Sequence, residues 1–276
     1  MARIRGARRA GASVALAALA LAAVACGTAA PPPKTPAGDV PSAGKFPHAR
    51  LTQILGKVVS EDGLVDYAAL EKEKNELDEY LAEVARISPL GQPHLFPTLE
   101  DQLAYWINAH NAAALRGVLL LGIPKELSRR GSELDRLSFV FGGRKLTLLG
   151  VTALLRKTYP DARPVVALVR GRRGGPALLR EAWDPKDLDA KLDDAARAFV
   201  KDPRFIQWTP GSDVVKVTRV ILDARGEFEK QQSATVSGDR LLVEAINRYR
   251  PGRERILASR VEPLPLDERL NDVSNR

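Results

Sequence analysis

The chain has 276 residues, of which 45% are hydrophobic and 28% are charged, which is typical of a folded globular protein and not of a disordered chain. Its formal net charge of +8 includes Arg3, Arg5, Arg8 and Arg9, and without this leader the charge falls to about +4. The sequence has no blocks of lysine and arginine interleaved with aromatic residues, so we expect no nucleic-acid partner.

The first 25 residues predict an export signal. An arginine-rich start precedes an apolar run at residues 12–25 that is too short for a comfortable membrane span. The run ends in Ala-Val-Ala-Cys26-Gly27, which resembles the processing box of a bacterial lipoprotein. Because Cys26 is the only cysteine of the chain, we expect it to be lipidated and to anchor the protein to a membrane. The alternative is an ordinary cleaved signal with an incidental cysteine.

Residues 26–45 contain mainly proline, alanine and glycine, a composition that predicts an extended tether and not a domain. Gly27, directly after the cysteine, favours sorting to an outer membrane. We therefore expect residues 46–276 to form one domain, held by its lipid at the outer membrane and facing the periplasm.

Two helices are predicted ahead of the longest apolar segment. Residues 48–59 carry apolar side chains at helical spacing, and residues 67–88 form a charged amphipathic pattern with one apolar stripe. Residues 63–67 predict a short extended piece between them. Residues 89–97 then form a loop.

The segment from Thr98 to Pro124 predicts a long buried helix. Thr98 suits the N-cap position, and Asp101 three residues later forms a near capping box. Gly122 and Pro124 supply the expected stop. Nearly every face between them is apolar, which indicates a helix buried inside the core.

Asn108 and Asn111 are unusual residues for such a helix. They are spaced i, i+3 and so share a face, and a buried amide without partners costs a few kcal/mol. His110 instead shares a face with Trp106, about 100° from Asn111. We expect a buried structural role for His110, with a catalytic or ligand-binding role as the alternative.

The second half of the chain mixes short strands and helices. Residues 138–149 predict a hairpin with Gly142-Gly143 as its turn, and residues 151–158 predict a short helix. Residues 163–169 predict an apolar strand. This strand leads into a loop rich in arginine and glycine, residues 170–176.

Helices are predicted again at residues 187–200 and 241–249, with strand signals at residues 205–217 between them. No internal repeat is present. The pattern predicts one α+β domain with a helix-rich N-terminal half and a small, mostly antiparallel sheet.

Nucleotide and metal motifs are absent from the sequence. It has no Gly-x4-Gly-Lys-Ser/Thr loop, no Gly-x-Gly-x-x-Gly turn after a strand and no Gly-x-Ser-x-Gly elbow. The histidines His48, His94 and His110 lack the spacing of metal ligands. We therefore expect neither a cofactor nor a metal.

Residues 106–112 read Trp-Ile-Asn-Ala-His-Asn-Ala and resemble the Trp-Ile-Asn-x-Tyr-Asn-Ala hallmark of the family of domain of unknown function 547. The similarity covers most of residues 50–273. It continues in order at Val65-Asp66-Tyr67, Gly142-Gly143, Leu146-Thr147-Leu148, residues 217–228 and residues 266–272. Members of this family are similar to papain-like and transglutaminase-like thiol enzymes, so the resemblance implies a papain-like scaffold.

The chain departs from this family at the expected catalytic positions. The family carries Asp-Pro-Arg-x-His-Phe-Ala-Leu and then a cysteine-containing loop that ends in Cys-Pro. In residues 161–176, Val165 stands in place of the histidine, and Arg170 and Gly175 stand in place of the cysteines. Thiol catalysis needs a thiolate and a base that raises its fraction, so we expect no catalytic residue of that kind.

The resemblance also implies a role for the asparagines, which would brace the loop packed on their helix through hydrogen bonds to its backbone. The sequence thus favours an envelope lipoprotein with a non-catalytic papain-like domain. Its former active-site groove, marked by Trp106, Asn108, His110 and Asn111, would bind a peptide, glycan or protein, or serve a structural role.

Two alternatives remain open. The first is a hydrolase with non-thiol chemistry in the same groove, in which His110 acts with Ser138 or a nearby carboxylate. The second, which has the least support, is an anion- or nucleic-acid-binding module built on the arginines of residues 170–180, where a solvated basic loop is the simpler interpretation.

Overall fold

A computed structural model describes residues 41–128, 130–159, 161–230 and 235–275. The predicted signal segment, Cys26 and most of the tether lie outside these residues. No helix within the described ranges has the length and apolar character needed to cross a membrane.

The helices are α1 (Ala49–Val58), α2 (Tyr67–Lys72), α3 (Lys74–Arg86), α4 (Leu99–Leu120), α5 (Gly131–Arg136), α6 (Leu148–Thr158), α7 (Leu188–Lys201), α8 (Arg219–Leu222), α9 (Arg225–Lys230) and α10 (Asp239–Asn247). The strands are β1 (Ser138–Phe141), β2 (Arg144–Thr147), β3 (Ile206–Gln207), β4 (Val214–Thr218) and β5 (Arg260–Leu264).

Helix α4 lies at the centre of the molecule, as its apolar faces predict. At its start the Thr98 side chain accepts the N–H of Asp101, and the Asp101 carboxylate accepts the N–H of Thr98, which completes the capping box. Gly122 ends the helix with φ +74°. Every residue from Leu103 to Leu119 except Arg116 is buried.

Two hydrophobic clusters form the core. The larger one surrounds α4 and includes residues of α1, α2, α3, α5, α6 and the β1–β2 hairpin. The smaller one joins α8, α9 and α10 to the strands β3, β4 and β5. Helix α7 contributes to both, with Leu188 and Leu192 in the larger cluster and Phe199 in the smaller. The predicted α+β class and the helix-rich N-terminal half are confirmed.

The strands form two separate sheets where the sequence predicted one. Strands β1 and β2 pair antiparallel around Gly142 and Gly143, whose φ angles of +54° and +79° suit a two-residue hairpin turn. In the second sheet β3 pairs antiparallel with β4, whereas β4 pairs parallel with β5. The parallel pair arises because α8, α9 and α10 connect β4 to β5, and a helical crossover brings the chain back in the same direction.

The predicted strand at residues 163–169 is wrong. Arg163–Val166 form a 3₁₀ turn, and residues 167–169 continue in an irregular conformation. The Asp161 carboxylate accepts the N–H of Arg163, and Pro164, which has no N–H, fits the first turn of a helix. These residues need no neighbouring strand, because the side chain of Asn111 on α4 forms hydrogen bonds with the carbonyl of Ala167 and the N–H of Val169.

Other boundaries differ in smaller ways. The helix predicted over residues 67–88 is divided into α2 and α3 at Glu73, whose φ of −89° and ψ of 8° are not helical. Helix α6 begins at Leu148, three residues before its predicted start, because the side chain of Thr147 caps the N–H of Gly150.

The C-terminal segment, residues 267–273, ties distant parts of the chain together. Asn271 donates its N–H to the carbonyl of Gly171 and accepts the N–H of Val65 at its own carbonyl. The Tyr67 hydroxyl donates to the Asn271 side chain at 2.8 Å. Three of the sequence segments singled out above therefore meet beside the loop of residues 170–176.

Candidate functional site

A cleft of about 570 Å³ opens where elements of the two hydrophobic clusters meet. Helix α6 forms one wall and helix α8 another, and the chain that follows β5 and the loop of residues 170–176 complete it. Its lining residues are Thr152, Arg156, Val165, Leu168, Arg170, Arg172, Gly175, Pro176, Arg219, Val220, Asp223, Pro263, Leu264, Pro265, Leu266 and Glu268.

Val165, Arg170 and Gly175 all line this cleft. These are the three positions at which the sequence resemblance places a histidine and cysteines. The described residues that line the cleft include no histidine, cysteine, serine or lysine. The hydroxyl of Thr152 donates to the Leu148 carbonyl within its own helix. The cleft therefore lies at the expected place without the groups that thiol chemistry requires.

Asn111 holds the chain that leads into the cleft. Its Nδ2 donates to the Ala167 carbonyl, and its Oδ1 accepts the N–H of Val169, both at 2.9 Å. We call this arrangement, in which one side-chain amide satisfies a backbone donor and a backbone acceptor, an asparagine clip. The side chain replaces the strand partner that residues 167–169 lack, and Asn111 is only 3% exposed.

Asn108 forms a second asparagine clip one turn earlier on α4. Its Nδ2 donates to the Trp183 carbonyl, and its Oδ1 accepts the N–H of Trp183, both at 2.9 Å. The hydrogen bonds from these amides to the backbone agree with the bracing role expected from the sequence. A third clip, which the sequence did not indicate, joins Asn247 to the N–H and carbonyl of Ile256 in the smaller cluster.

The residues predicted to mark a groove do not line one. Trp106, Asn108, His110 and Asn111 are each at most 3% exposed, and none of them contributes to either large cavity. The space beside Asn108 is filled by the backbone of Trp183. Of these residues, Asn111 holds the chain that leads into the cleft, whereas Asn108 holds Trp183, which borders the second cavity.

His110 is fully buried, which counts against a catalytic role. Its Nδ1 lies 3.3 Å from Oδ1 of Asn111, and its Nε2 has no hydrogen-bond partner among the described residues. Burial, together with a smaller effect of Arg170, lowers the pKa of His110 to about 4, against the opposing effects of Asn111 and Asp135. The imidazole is therefore neutral at pH 7 and lies away from the cleft.

The arginines of the loop are held mostly by structural contacts. Arg170 binds Asp135 through both ends of its guanidinium, with Nε at 2.9 Å from Oδ1. Arg172 donates from Nε to Glu268 at 2.5 Å, and Arg173 donates to the Asn275 carbonyl at 2.7 Å. These side chains fasten the loop to α5 and to the C-terminal segment, which weakens the case for an anion site in the loop itself.

Arg156 and Arg219 also line the cleft, and sequence reasoning missed both. Arg156 lies in the last turn of α6, and Arg219 is the first residue of α8. Arg156 belongs to no motif, Arg219 lies within the segment of residues 217–228 but has no role predicted there, and more than sixty residues separate them. Only the packing of the two hydrophobic clusters brings them to one cavity.

A second cavity of about 900 Å³ lies between residues 43–49 and residues 181–187, next to Trp183. His48 borders it and places Nδ1 2.9 Å from the Tyr80 hydroxyl. Burial lowers the pKa of His48 to about 4, and the Asp184 carboxylate opposes that shift. Within the described parts of the chain, no group of three or more His, Cys, Asp or Glu side chains is placed to hold a metal ion.

Residues 97–200 match the family model described as "Protein of unknown function, DUF547". Searches of curated proteins and of solved structures each gave no match. The matched segment contains α4, the hairpin, α6, the loop of residues 170–176 and α7. It therefore includes the clips of Asn108 and Asn111 and one side of the cleft. Over residues 97–200 the chain is therefore similar to this family.

Proposed function

We propose that this protein is a bacterial envelope lipoprotein whose domain, built on a papain-like scaffold, binds a partner without catalysing a reaction. The observation that carries the proposal is the cleft itself. It lies at the positions where the resemblance expects a histidine and cysteines, and those positions hold Val165, Arg170 and Gly175.

The other groups of the cleft also favour binding over turnover. Its two carboxylates face arginines, with Asp223 3.5 Å from Arg219 and Glu268 2.5 Å from Arg172. A general base must be free to accept a proton from the reacting group, and Glu268, whose carboxylate accepts a hydrogen bond from Arg172, is poorly suited to that role. The partner would be a peptide, a glycan or a protein segment that enters the cleft.

The proposed lipid on Cys26 would hold the domain at the outer membrane, facing the periplasm. The 18 residues from 26 to 43, ahead of Gly44, whose N–H donates to the Leu95 carbonyl, can span at most about 65 Å when fully extended. A tether of that reach would let the cleft meet partners at some distance from the membrane surface. The proposed partners are therefore periplasmic molecules, together with the membrane that receives the lipid.

A hydrolysis panel tests the non-catalytic role. The mature protein is incubated with peptide, ester and isopeptide substrates beside Val165→Phe, which fills the cleft, and Leu149→Phe, which introduces the same side chain at a position 46% exposed on α6. We expect no turnover from any of the three proteins. Turnover by the wild type that Leu149→Phe retains and Val165→Phe loses would refute the proposal.

Metabolic labelling with a fatty-acid analogue tests the anchor separately. We expect the label to appear on the wild-type protein and to be lost from Cys26→Ser, together with fractionation into the membrane. A label that persists in Cys26→Ser would contradict lipidation at this residue.

A further inference from the structure

We propose that the ligand of the cleft carries a carboxylate next to an apolar group, and that Arg156 and Arg219 bind this carboxylate. The inference rests on the proposed binding role of the cleft and names the chemistry of what it binds. It comes from a difference among the four arginines that line the cavity.

Two of these arginines form hydrogen-bonded ion pairs and two do not. Arg170 and Arg172 make the hydrogen-bonded ion pairs described above. Arg156 lies 3.9 Å from Glu227, and Arg219 lies 3.5 Å from Asp223. The structure gives neither of the latter guanidinium groups a hydrogen bond among the described residues. Each therefore keeps donors available for a ligand.

Arg156 has a buried donor that forms no hydrogen bond within the described part of the chain. The donor is its Nε, which lies 3.9 Å from Oε1 of Glu227, beyond hydrogen-bonding distance. An unsatisfied buried donor costs about 1–3 kcal/mol, and more when it carries charge. The Arg156 side chain is 31% exposed, so an anion in the cleft can reach the accessible part of this guanidinium and supply acceptors that Glu227 does not. A carboxylate fits best because it can accept two parallel N–H donors from one guanidinium.

The remaining walls specify an apolar neighbour for that carboxylate. Between the arginines the cleft is lined by Val165, Leu168, Val220, Leu264 and Leu266. Three prolines, at positions 176, 263 and 265, add further apolar surface. A small-ligand site is mostly apolar with a few placed polar groups, and the volume of about 570 Å³ lies within the usual range for such sites.

The two carboxylates that line the cleft favour a ligand with a single negative charge. Asp223 and Glu268 line the same cavity and would repel a dianion such as a phosphate monoester more strongly than a single carboxylate. Two sources offer the required chemistry. One is the free C terminus of a peptide that ends in an apolar residue, and the other is a free medium-chain carboxylic acid.

Calorimetric titration of the mature protein distinguishes these sources. The probes are acetyl-Ala-Ala-Leu with a free C terminus, the same peptide as its C-terminal amide, and octanoate. We expect the free acid to bind at least tenfold more tightly than the amide, and more weakly at high salt. Comparable binding of octanoate would identify free acids as ligands, and binding of the peptide acid alone would identify a peptide terminus.

Substitutions of the two arginines test where the carboxylate of the ligand binds. Arg156→Gln and Arg219→Gln should each weaken binding of the peptide acid at least tenfold. Arg197→Gln, an exposed arginine on α7 outside the cleft, should leave it unchanged. If circular dichroism shows that Arg156→Gln is unfolded, Arg156→Lys serves instead, because it keeps the charge and loses the paired donors.

Three results would overturn the inference. They are equal binding of acid and amide, unchanged binding in both arginine variants, and no binding of any probe at about 1 mM. Equal binding that Val165→Phe abolishes would leave the proposed binding role intact while refuting the carboxylate. Turnover of a probe would instead refute the non-catalytic role itself.

Discussion

Replacing Asn111 with alanine should lower the free energy of unfolding by about 2–4 kcal/mol. The substitution removes two hydrogen bonds of 2.9 Å and leaves the carbonyl of Ala167 and the N–H of Val169 without partners. Both of these residues are only 2% exposed, so water cannot replace the lost amide. Each unsatisfied buried group costs about 1–3 kcal/mol, and the higher helix propensity of alanine offsets a few tenths.

Equilibrium urea unfolding, followed by tryptophan fluorescence, measures this change as a shift of the midpoint at constant slope. Asn247→Ala provides a matched control, because it breaks the same kind of clip at Ile256 in the smaller cluster. Both variants should lose similar stability, but only Asn111→Ala should also weaken ligand binding in the cleft. A loss below about 1 kcal/mol for Asn111→Ala would show that the clip does not hold residues 167–169.

Three further predictions concern the hairpin turn, the buried histidine and the start of α4. Gly142→Ala should lower the free energy of unfolding by about 3 kcal/mol or more, because the new Cβ would lie 2.0 Å from Oγ of Ser88. Gly143→Ala should lower it by only about 1 kcal/mol, because its Cβ would contact no other atom and only the positive φ opposes it. The pKa of His110 is about 4 in the folded chain, compared with an ordinary value of 6.5. Between these two pH values the unfolded chain binds a proton that the folded chain does not, so the free energy of unfolding should fall by about 3 kcal/mol as the pH drops from 6.5 to 4. His110→Gln should lack that part of the loss when both proteins are unfolded in urea across this range. Thr98→Ala should cost about 1 kcal/mol by the same assay, because the N-cap hydrogen bond is lost.

Each of these predictions has a clear contrary outcome. Equal costs for Gly142→Ala and Gly143→Ala would contradict the close approach of Ser88. Parallel pH profiles for the wild type and His110→Gln would show that burial does not depress this pKa in the folded protein. A neutral Thr98→Ala would mean that Asp101 caps α4 without help from the threonine.

The parts of the fold that sequence reasoning predicted well are those specified by nearby residues. Helix α4 was recognisable because its capping box, its glycine stop and its apolar faces all lie within one segment. The hairpin was recognisable because two glycines stand where its turn needs positive φ. Local signals of this kind do not depend on how the rest of the chain folds.

The segment 163–169 shows why other parts were not predictable. An apolar run fits a buried strand or a buried turn equally well, and its partner decides between them. Here the partner is the side chain of Asn111, more than fifty residues away, which takes the place of a neighbouring strand. Val165, Arg170 and Gly175 line the cleft, whereas the groove expected beside Asn108 is filled by the backbone of Trp183. Its unengaged arginines come from separate helices and became apparent only in three dimensions.

The clips of Asn108 and Asn111 have a consequence for how this domain tolerates change. They fix Trp183 and residues 167–169 to one helix, so both ends of the intervening stretch, residues 170–182, are set by α4. Changes in the length of that stretch should therefore cost little stability, because the free energy of closing a loop depends only weakly on its length. Gly174 is an exception, since a Cβ there would lie 2.6 Å from the backbone nitrogen of Asp267. Arg170 is a second exception, because its substitution would leave the buried carboxylate of Asp135 without this ion pair, whereas the anchor points on α4 would stay in place.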